Sequence, residues 1–116
     1  MVENSLPRPC FIELPTRDLA AGRAFYAEVF GWDMTSFGPS YACTMTGDVD
    51  IGLQADASEA THAPLPVIEV PDIDRALAAV AGAGGLITRP VFAFPGGRRF
   101  HFRDPSGNEL AAMKPD

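Results

Sequence analysis

The sequence of 116 residues predicts an α+β fold of two βαβββ repeats, whose strands form a curved mixed sheet around a cup-shaped cavity. Two observations predict this fold: a short motif returns in register, and the same order of strand and helix patterns follows each copy. Ile12-Glu13-Leu14-Pro15 returns as Ile68-Glu69-Val70-Pro71, and Asp18 and Ala20 match Asp74 and Ala76. The spacing between the copies is about half of the chain, so two units account for nearly all of it.

Turn and capping residues delimit the elements of the first repeat. Pro15 ends the opening strand because it cannot donate to a sheet ladder. Thr16 or Asp18 can cap the following helix, and Gly31 ends it. Leu19, Tyr26, Val29 and Phe30 are placed near one face of this helix. Repeat 1, about residues 9–54, is therefore predicted as a strand at 9–15, a helix ending near Phe30, and strands near 32–37, 41–46 and 49–54.

The second repeat, about residues 65–114, follows a polar linker at 55–64. Ile73, Leu77 and Val80 recur at helical spacing. Asp104-Pro105-Ser106-Gly107 predicts a type I turn, because Pro presets φ at the second position and Gly closes the fourth. The predicted elements are a strand at 65–71, a helix over about 72–83, and strands near 86–92, 98–103 and 108–114. Residues 1–116 are thus predicted to form one domain.

Composition excludes several classes of partner. The net charge of −6 argues against nonspecific nucleic-acid binding. It fits an acidic surface that keeps the protein soluble, and for a ligand it favours a cationic or neutral molecule or no charge preference at all. No apolar run approaches the ~20 residues of a membrane span, and Met1–Ser5 lacks the features of a signal peptide, which predicts a cytoplasmic protein. Cys10 and Cys43 form no C-x-x-C motif and are interpreted as small hydrophobic residues.

Three segments carry a family resemblance across essentially the whole chain. Phe11–Trp32 contains Phe-Tyr-Ala-Glu-Val-Phe-Gly-Trp after the first strand, Val70–Ala76 forms a strand-to-helix joint, and His101–Leu110 contains Phe-Arg-Asp-Pro-Ser-Gly-Asn. These motifs resemble the vicinal-oxygen-chelate superfamily, which includes glyoxalase I, bleomycin-resistance proteins and extradiol dioxygenases. The resemblance implies a glyoxalase-like fold and a homodimer. It does not fix the function, because members of this family bind different ligands and catalyse different reactions.

The resemblance also indicates where a metal would bind. Three of the family's ligand positions correspond to Phe11, Leu65 and Ala111, whose side chains cannot bind a divalent cation. Within residues 51–55 only Gln54 offers a donor, and His62 in the linker is an alternative ligand if the alignment slips. We therefore expect no metal and no other cofactor.

Alternation along the strands predicts which side chains line the cup. The resemblance places Phe11 on the cup side, and the repeat then places Glu13 and Glu69 there. An apolar floor with convergent polar groups suits a small organic ligand, although these groups can instead pair structurally with one another. His101 beside a carboxylate is the one candidate for acid–base chemistry. The predicted ligand-binding residues are Phe11, Glu13, Leu65, Glu69, Arg99, His101, Glu109, Ala111 and Met113.

Three functions remain open from the sequence. The favoured one is a metal-free glyoxalase/bleomycin-resistance-like protein that binds a small organic molecule in the cup without catalysis. The second is a metal-dependent lyase, isomerase or dioxygenase of the glyoxalase type, which requires a metal site that the sequence does not supply. The third is a structural dimer module with no ligand. Neither nucleic acid nor membrane is an expected partner.

Overall fold

A computed structural model describes residues 6–116. Met1–Ser5, the segment that was predicted not to be a signal peptide, lies outside this range. The α+β class and the predicted order of two βαβββ repeats are confirmed, with two helices and both parallel and antiparallel strand pairs. No helix in the described part of the chain is long and apolar enough to cross a membrane. The elements are β1 Arg8–Pro15, α1 Leu19–Phe30, β2 Thr35–Ser36, β3 Tyr41–Cys43, β4 Asp50–Gln54, β5 Leu65–Glu69, α2 Ile73–Gly82, β6 Leu86–Phe94, β7 Gly97–Arg103 and β8 Glu109–Pro115.

The chain divides into two compact units. The N-terminal unit is Phe11–Leu65, and its strands are ordered β2-β3-β4-β1, with β1 parallel to β4 and the other neighbours antiparallel. Its core consists of Met34, Ala42 and Leu53, against which residues of α1 and neighbouring strands pack. Because Ala42 and Leu53 both face α1, alternation places their sequence neighbours on the opposite side of the sheet.

Helix α1 begins and ends as the sequence predicts. The Asp18 carboxylate accepts a hydrogen bond from the Ala21 backbone N–H, and Gly31 adopts a left-handed φ of 69° at the C-terminus. The predicted apolar face is only partly buried. Leu19 and Tyr26 pack on the core, but Val29 and Phe30 are exposed. The Phe30 ring contacts Tyr26 and Trp32, which cover the core from outside.

Strand β3 is shorter than predicted because the next residues turn around a buried carboxylate. Asp50 accepts hydrogen bonds from the Thr44 hydroxyl, from the backbone and hydroxyl of Thr46, and from the Gly47 backbone. Burial alone would raise the pKa of Asp50, but these four hydrogen bonds outweigh it and lower the pKa below its usual value. The strand predicted near 41–46 therefore ends at Cys43.

The C-terminal unit consists of residues 6–10 and Pro66–Asp116, and its strands are ordered β5-β8-β7-β6. Its core contains Val70, Ile73, Phe100 and Ala112, with Leu77 and Val80 of α2 packed against them. Asp72 caps α2 by accepting from the Arg75 backbone N–H. A β-turn is confirmed at the predicted position, because the Gly107 N–H donates to the Asp104 carbonyl over 2.9 Å. Ser106 does not have the positive φ that a type II turn requires. Helix α2 thus covers one face of these strands.

Candidate functional site

The sheet of the C-terminal unit has a second face, which α2 does not cover. Phe100 and Ala112 pack towards α2, so alternation places the flanking residues of β7 and β8 on the other side. We call this side the helix-free face. Its register pairs His101 with Ala111 and Arg99 with Met113. Six of the nine predicted ligand-binding residues lie on this face, namely Glu69, Arg99, His101, Glu109, Ala111 and Met113.

His101 is the central polar group of the helix-free face, and it is only 3% exposed. Its Nδ1 lies 3.1 Å from Oε2 of Glu109, and the same oxygen accepts a hydrogen bond from the Thr88 hydroxyl over 3.4 Å. Its other nitrogen, Nε2, is buried and has no hydrogen-bond partner among the described residues. One edge of the imidazole is therefore fixed, and the other edge has unused hydrogen-bonding capacity.

The protonation of His101 follows from its surroundings. Burial lowers the pKa of His101, and the positive charges of Arg99 and Arg89 lower it further, whereas the hydrogen bond and charge of Glu109 act in the opposite direction. The lowering dominates, so the imidazole is neutral at pH 7. Because a carboxylate only accepts hydrogen bonds, the proton resides on Nδ1, and Nε2 carries a lone pair.

This lowered pKa predicts a loss of stability in mild acid. Because the folded-state pKa of His101 lies below its unfolded value of about 6.5, the unfolded chain binds the proton first as the pH falls. Above the unfolded-state pKa, the neutral His101 makes its full contribution to the free energy of unfolding. This contribution is lost as the pH falls through the folded-state pKa. We expect urea unfolding of the wild type to show this decline as the pH falls below about 6.5.

The His101→Phe variant should show a flatter pH dependence, whereas a His62→Phe control, changed at the exposed linker histidine, should retain the decline. The lowered pKa values of Asp50, Asp56 and Asp104 affect stability only at more acidic pH. Equal slopes in wild type and His101→Phe would contradict the assignment.

Aromatic and cationic side chains surround His101. The ring centroid of Phe92 lies 5.8 Å from that of His101, and the Arg89 guanidinium carbon lies 3.6 Å from the Phe92 centroid. Arg99, only 8% exposed, places its guanidinium carbon 5.3 Å from Phe92 and 5.4 Å from Phe94. Sequence analysis missed Arg89, Phe92 and Phe94, because two register shifts in β6 interrupt the alternation that would have placed them.

The edge of this unit near β1 carries an ion pair. Arg8 Nη2 lies 3.5 Å from Oε1 of Glu69, and both side chains are about a quarter exposed or less. The Cys10 thiol lies beside them, contacts the Val67 carbonyl oxygen, and has its pKa raised by burial. Burial likewise raises the pKa of the Cys43 thiol in the N-terminal unit. Both cysteines are free thiols. This agrees with the sequence-based interpretation that they are small hydrophobic residues.

The corresponding face of the N-terminal unit is occupied by its own side chains. Glu13 is 3% exposed, and the Tyr41 hydroxyl donates to its Oε2 over 3.3 Å. Above Gly52, where a Cβ would be, lie the Tyr41 hydroxyl and the Phe11 ring. Leu65, at the end of this unit, is completely buried. Phe11 and Glu13 are therefore brought together with Tyr41, which sequence analysis did not single out.

The residues present do not fit the metal site that the family resemblance implies. Phe11, Leu65 and Ala111 carry no donor atom, and Oε1 of Gln54 accepts a hydrogen bond from the Asp56 backbone. His62 is exposed in the linker. Within residues 6–116, no three His, Cys, Asp or Glu side chains cluster as ligands of one ion would. The described side chains therefore do not supply the ligands of the family's metal site.

Comparison of the sequence with models of known families identifies one family that matches most of the chain. A sequence model of the Glyoxalase/Bleomycin resistance protein/Dioxygenase superfamily matches residues 10–112. No curated protein matches the chain significantly.

Solved structures share the fold at low sequence identity. Hypothetical protein BH1468 from Bacillus halodurans C-125 superposes with a TM-score of 0.80 at 14% identity, covering 97% of this chain and 96% of that one. Methylmalonyl-CoA epimerase from Mycobacterium tuberculosis gives 0.75 at 14% identity, covering 100% and 93%. The Mn(II)-bound glyoxalase from Novosphingobium aromaticivorans gives 0.63 at 24% identity, covering 94% of this chain but 40% of that one.

Proposed function

This chain belongs to the Glyoxalase/Bleomycin resistance protein/Dioxygenase superfamily, and we propose that within it the protein binds a small organic molecule on the helix-free face without a metal. The single observation that carries this proposal is the buried Nε2 of His101, which has no hydrogen-bond partner among the described residues. A bound molecule that donates a hydrogen bond to this nitrogen would satisfy it.

A purely structural role explains the environment of only one of the two ring nitrogens of His101. Pairing with Glu109 accounts for Nδ1 and for the orientation of the ring. It does not account for Nε2, because a buried polar atom without a partner costs about 1–3 kcal/mol in protein stability. A ligand that forms the missing hydrogen bond would offset this cost.

The N-terminal unit supports ligand binding less well. The rings of Phe11 and Tyr41 already occupy the space above Gly52, and the Tyr41 hydroxyl already donates to Glu13. In the C-terminal unit, Glu69 occupies the position that corresponds to Glu13, and its partner on the neighbouring parallel strand is Met113. Glu69 forms an ion pair with Arg8 and does not bind a tyrosine. The proposal therefore centres on His101 rather than on Phe11 and Glu13.

A ligand screen with matched variants tests the proposal. We expect a library of small organic molecules to contain compounds that raise the melting temperature of the metal-free wild type, because a ligand that binds the native state stabilises it. His101→Phe should weaken these compounds at least tenfold in calorimetry, and His62→Phe should bind like the wild type. His101→Gln, which keeps an acceptor, gives a second variant if the first is unstable. Compounds that bind the His101 variants and the wild type equally would contradict the proposal.

A second function, acid–base catalysis, is favoured by one feature of the same site. A neutral imidazole whose Nδ1–H is held by a carboxylate presents Nε2 as a general base, and Glu109 holds His101 in this way. If a compound from the screen exchanges a carbon-bound proton with D₂O at a rate that falls with His101→Gln, the protein is an enzyme. Binding without exchange supports the binding function alone.

The homodimer that the family resemblance implies remains a prediction. Sedimentation equilibrium at micromolar concentration should give twice the 12.4 kDa mass of the chain. A single species at the monomer mass would contradict it.

A further inference from the structure

The C-terminal half of helix α1 presents an apolar surface to solvent. Phe25, Val29 and Phe30 are 57%, 50% and 59% exposed. Phe25 and Val29 are one helical turn apart and share one side of the helix. The rings of Phe25 and Phe30 both contact the partly buried ring of Tyr26, at centroid distances of 5.1 Å and 6.3 Å. We call Phe25, Val29 and Phe30 the α1 patch, because exposed apolar side chains that are contiguous mark interaction surfaces, whereas single ones are ordinary.

The charge beside the α1 patch is negative. Glu28 precedes Val29 on the helix, and Asp33 follows shortly after Phe30. Both acidic residues are exposed, and neither forms a hydrogen bond or an ion pair with another residue in the range 6–116 that the structure describes. The N-terminal unit as a whole contains eight acidic residues and two arginines, so its acidic excess equals the net charge of −6 of the whole chain.

Neither arginine of the N-terminal unit neutralises this end of α1. The Arg23 guanidinium donates to the Met34 carbonyl over 2.6 Å and to the Ser36 hydroxyl, so its hydrogen bonds are made within the unit. Arg17 precedes α1, whose twelve residues span about 18 Å, and therefore lies at the opposite end of the helix. The last turn of α1 contains no basic residue, although the carboxyl end of a helix carries partial negative charge. A cationic partner is therefore favoured at this end.

We propose that the α1 patch docks a basic amphipathic helix of a partner protein. The apolar stripe of that helix packs on the α1 patch, and its lysine or arginine side chains lie beside Glu28 and Asp33. Cations are also attracted to the faces of exposed aromatic rings such as those of Phe25 and Phe30.

An acidic margin beside an apolar surface selects among possible partners. It opposes an acidic helix, because like charges that meet at an interface oppose association. A second copy of this chain fits less well for the same reason, since two α1 patches in contact would bring their own carboxylates together. The α1 patch and the helix-free face are on different elements in different units, so this inference stands apart from the proposed small-molecule function.

A synthetic peptide of leucine and lysine tests the two requirements separately. The probe is an amidated peptide of about 18 residues, or five helical turns, with its leucines at helical period. We expect it to bind the wild type in calorimetry with a dissociation constant on the order of 10 µM, because one helix face is a small interface. A scrambled peptide of the same composition and a peptide with glutamate in place of lysine should each bind about tenfold more weakly or worse. Added salt should weaken the binding.

Matched variants of the protein locate the bound peptide. Phe25→Ser should weaken binding about tenfold, whereas Leu86→Ser, at a residue of β6 that is 62% exposed, should bind like the wild type. Glu28→Gln should weaken binding about threefold or more, whereas Asp48→Asn removes the same charge elsewhere in the N-terminal unit and should have no effect. All four positions are exposed, so the variants should melt like the wild type.

Amide chemical shifts provide a second measurement of the location. In ¹⁵N-labelled protein, the largest shifts on addition of the leucine-lysine peptide should occur at residues 25–33. Largest shifts elsewhere in the chain would contradict the proposal, even if the peptide binds.

The remaining outcomes are equally decisive. If the leucine-lysine peptide does not bind, or if the scrambled peptide binds as tightly, the α1 patch does not recognise a basic amphipathic helix and the proposal is wrong. If Phe25→Ser converts a dimer of the wild type into a monomer in sedimentation, a second copy of the chain covers the α1 patch and the proposal is again wrong. None of these results affects the ligand screen, which depends on His101.

Discussion

Replacing Phe100 by Ala should lower the free energy of unfolding by about 3–5 kcal/mol, the range observed when a large core aromatic is truncated. Phe100 is 0% exposed and packs with Val70, Ile73 and Ala112, and its ring lies 5.8 Å from that of Phe102. Its removal leaves a cavity between α2 and the sheet of the C-terminal unit. Because the total free energy of unfolding of a small protein is only about 5–15 kcal/mol, this loss removes a large fraction of it.

Urea unfolding measures this loss, and Phe25→Ala provides the control. Phe25 is 57% exposed on α1, so its truncation should cost less than about 1 kcal/mol. Phe100→Leu, which keeps most of the apolar volume, should fall between the two. Equal losses for Phe100→Ala and Phe25→Ala would contradict the assignment of Phe100 to the core.

Replacing Gly97 by Ala should be nearly as damaging, with a loss of about 3 kcal/mol, because the added methyl group meets backbone rather than a movable side chain. Its Cβ would overlap the carbonyl oxygen of Lys114 and lie 2.9 Å from the Cα of Pro115. Gly97 and Pro115 are paired in the β7–β8 ladder, so relief requires the strands to separate at this end.

The control for this substitution is Gly82→Ala, at the last residue of α2, where an added Cβ meets nothing within 4 Å. Alanine is a better helix former than glycine, so this variant should gain about 0.5–1 kcal/mol. Thermal melts of the two variants should therefore shift in opposite directions. A Gly97→Ala variant as stable as the wild type would show that β7 and β8 are not held at this spacing.

The order of the elements could be predicted from the sequence because local signals agreed with one another. The repeated Ile-Glu-hydrophobic-Pro motif, the caps at Asp18 and Asp72, and the turn at Asp104–Gly107 each specify a boundary through short-range chemistry. Where a boundary depended on a side chain at the start of the next strand, prediction was less accurate. Strand β3 ends early because the Asp50 carboxylate accepts hydrogen bonds from Thr44 and Thr46 in the turn that precedes it.

The candidate site could be predicted only in part, for a related reason. Strict alternation correctly placed Arg99 and His101 opposite Phe100, because β7 is regular. Strand β6 is irregular, so the face of Phe92 could not be deduced from its position in the sequence. Tyr41 was missed because its partner Glu13 lies on β1, and the pairing of both strands with β4 brings them close.

The repeat has a consequence for how the two copies have diverged. Glu13 and Glu69 occupy matching positions, yet Glu13 faces Gly52 and binds a tyrosine, whereas Glu69 faces Met113 and binds an arginine. The two repeats are therefore not interchangeable: the first packs Phe11 and Tyr41 above Gly52, and the second buries a polar cluster around His101. A chain assembled from two first repeats would preserve the pattern of strands and helices but contain no imidazole at the position of His101. The two repeats thus share an order of strands and helices, but they differ in the polar side chains that the strands present.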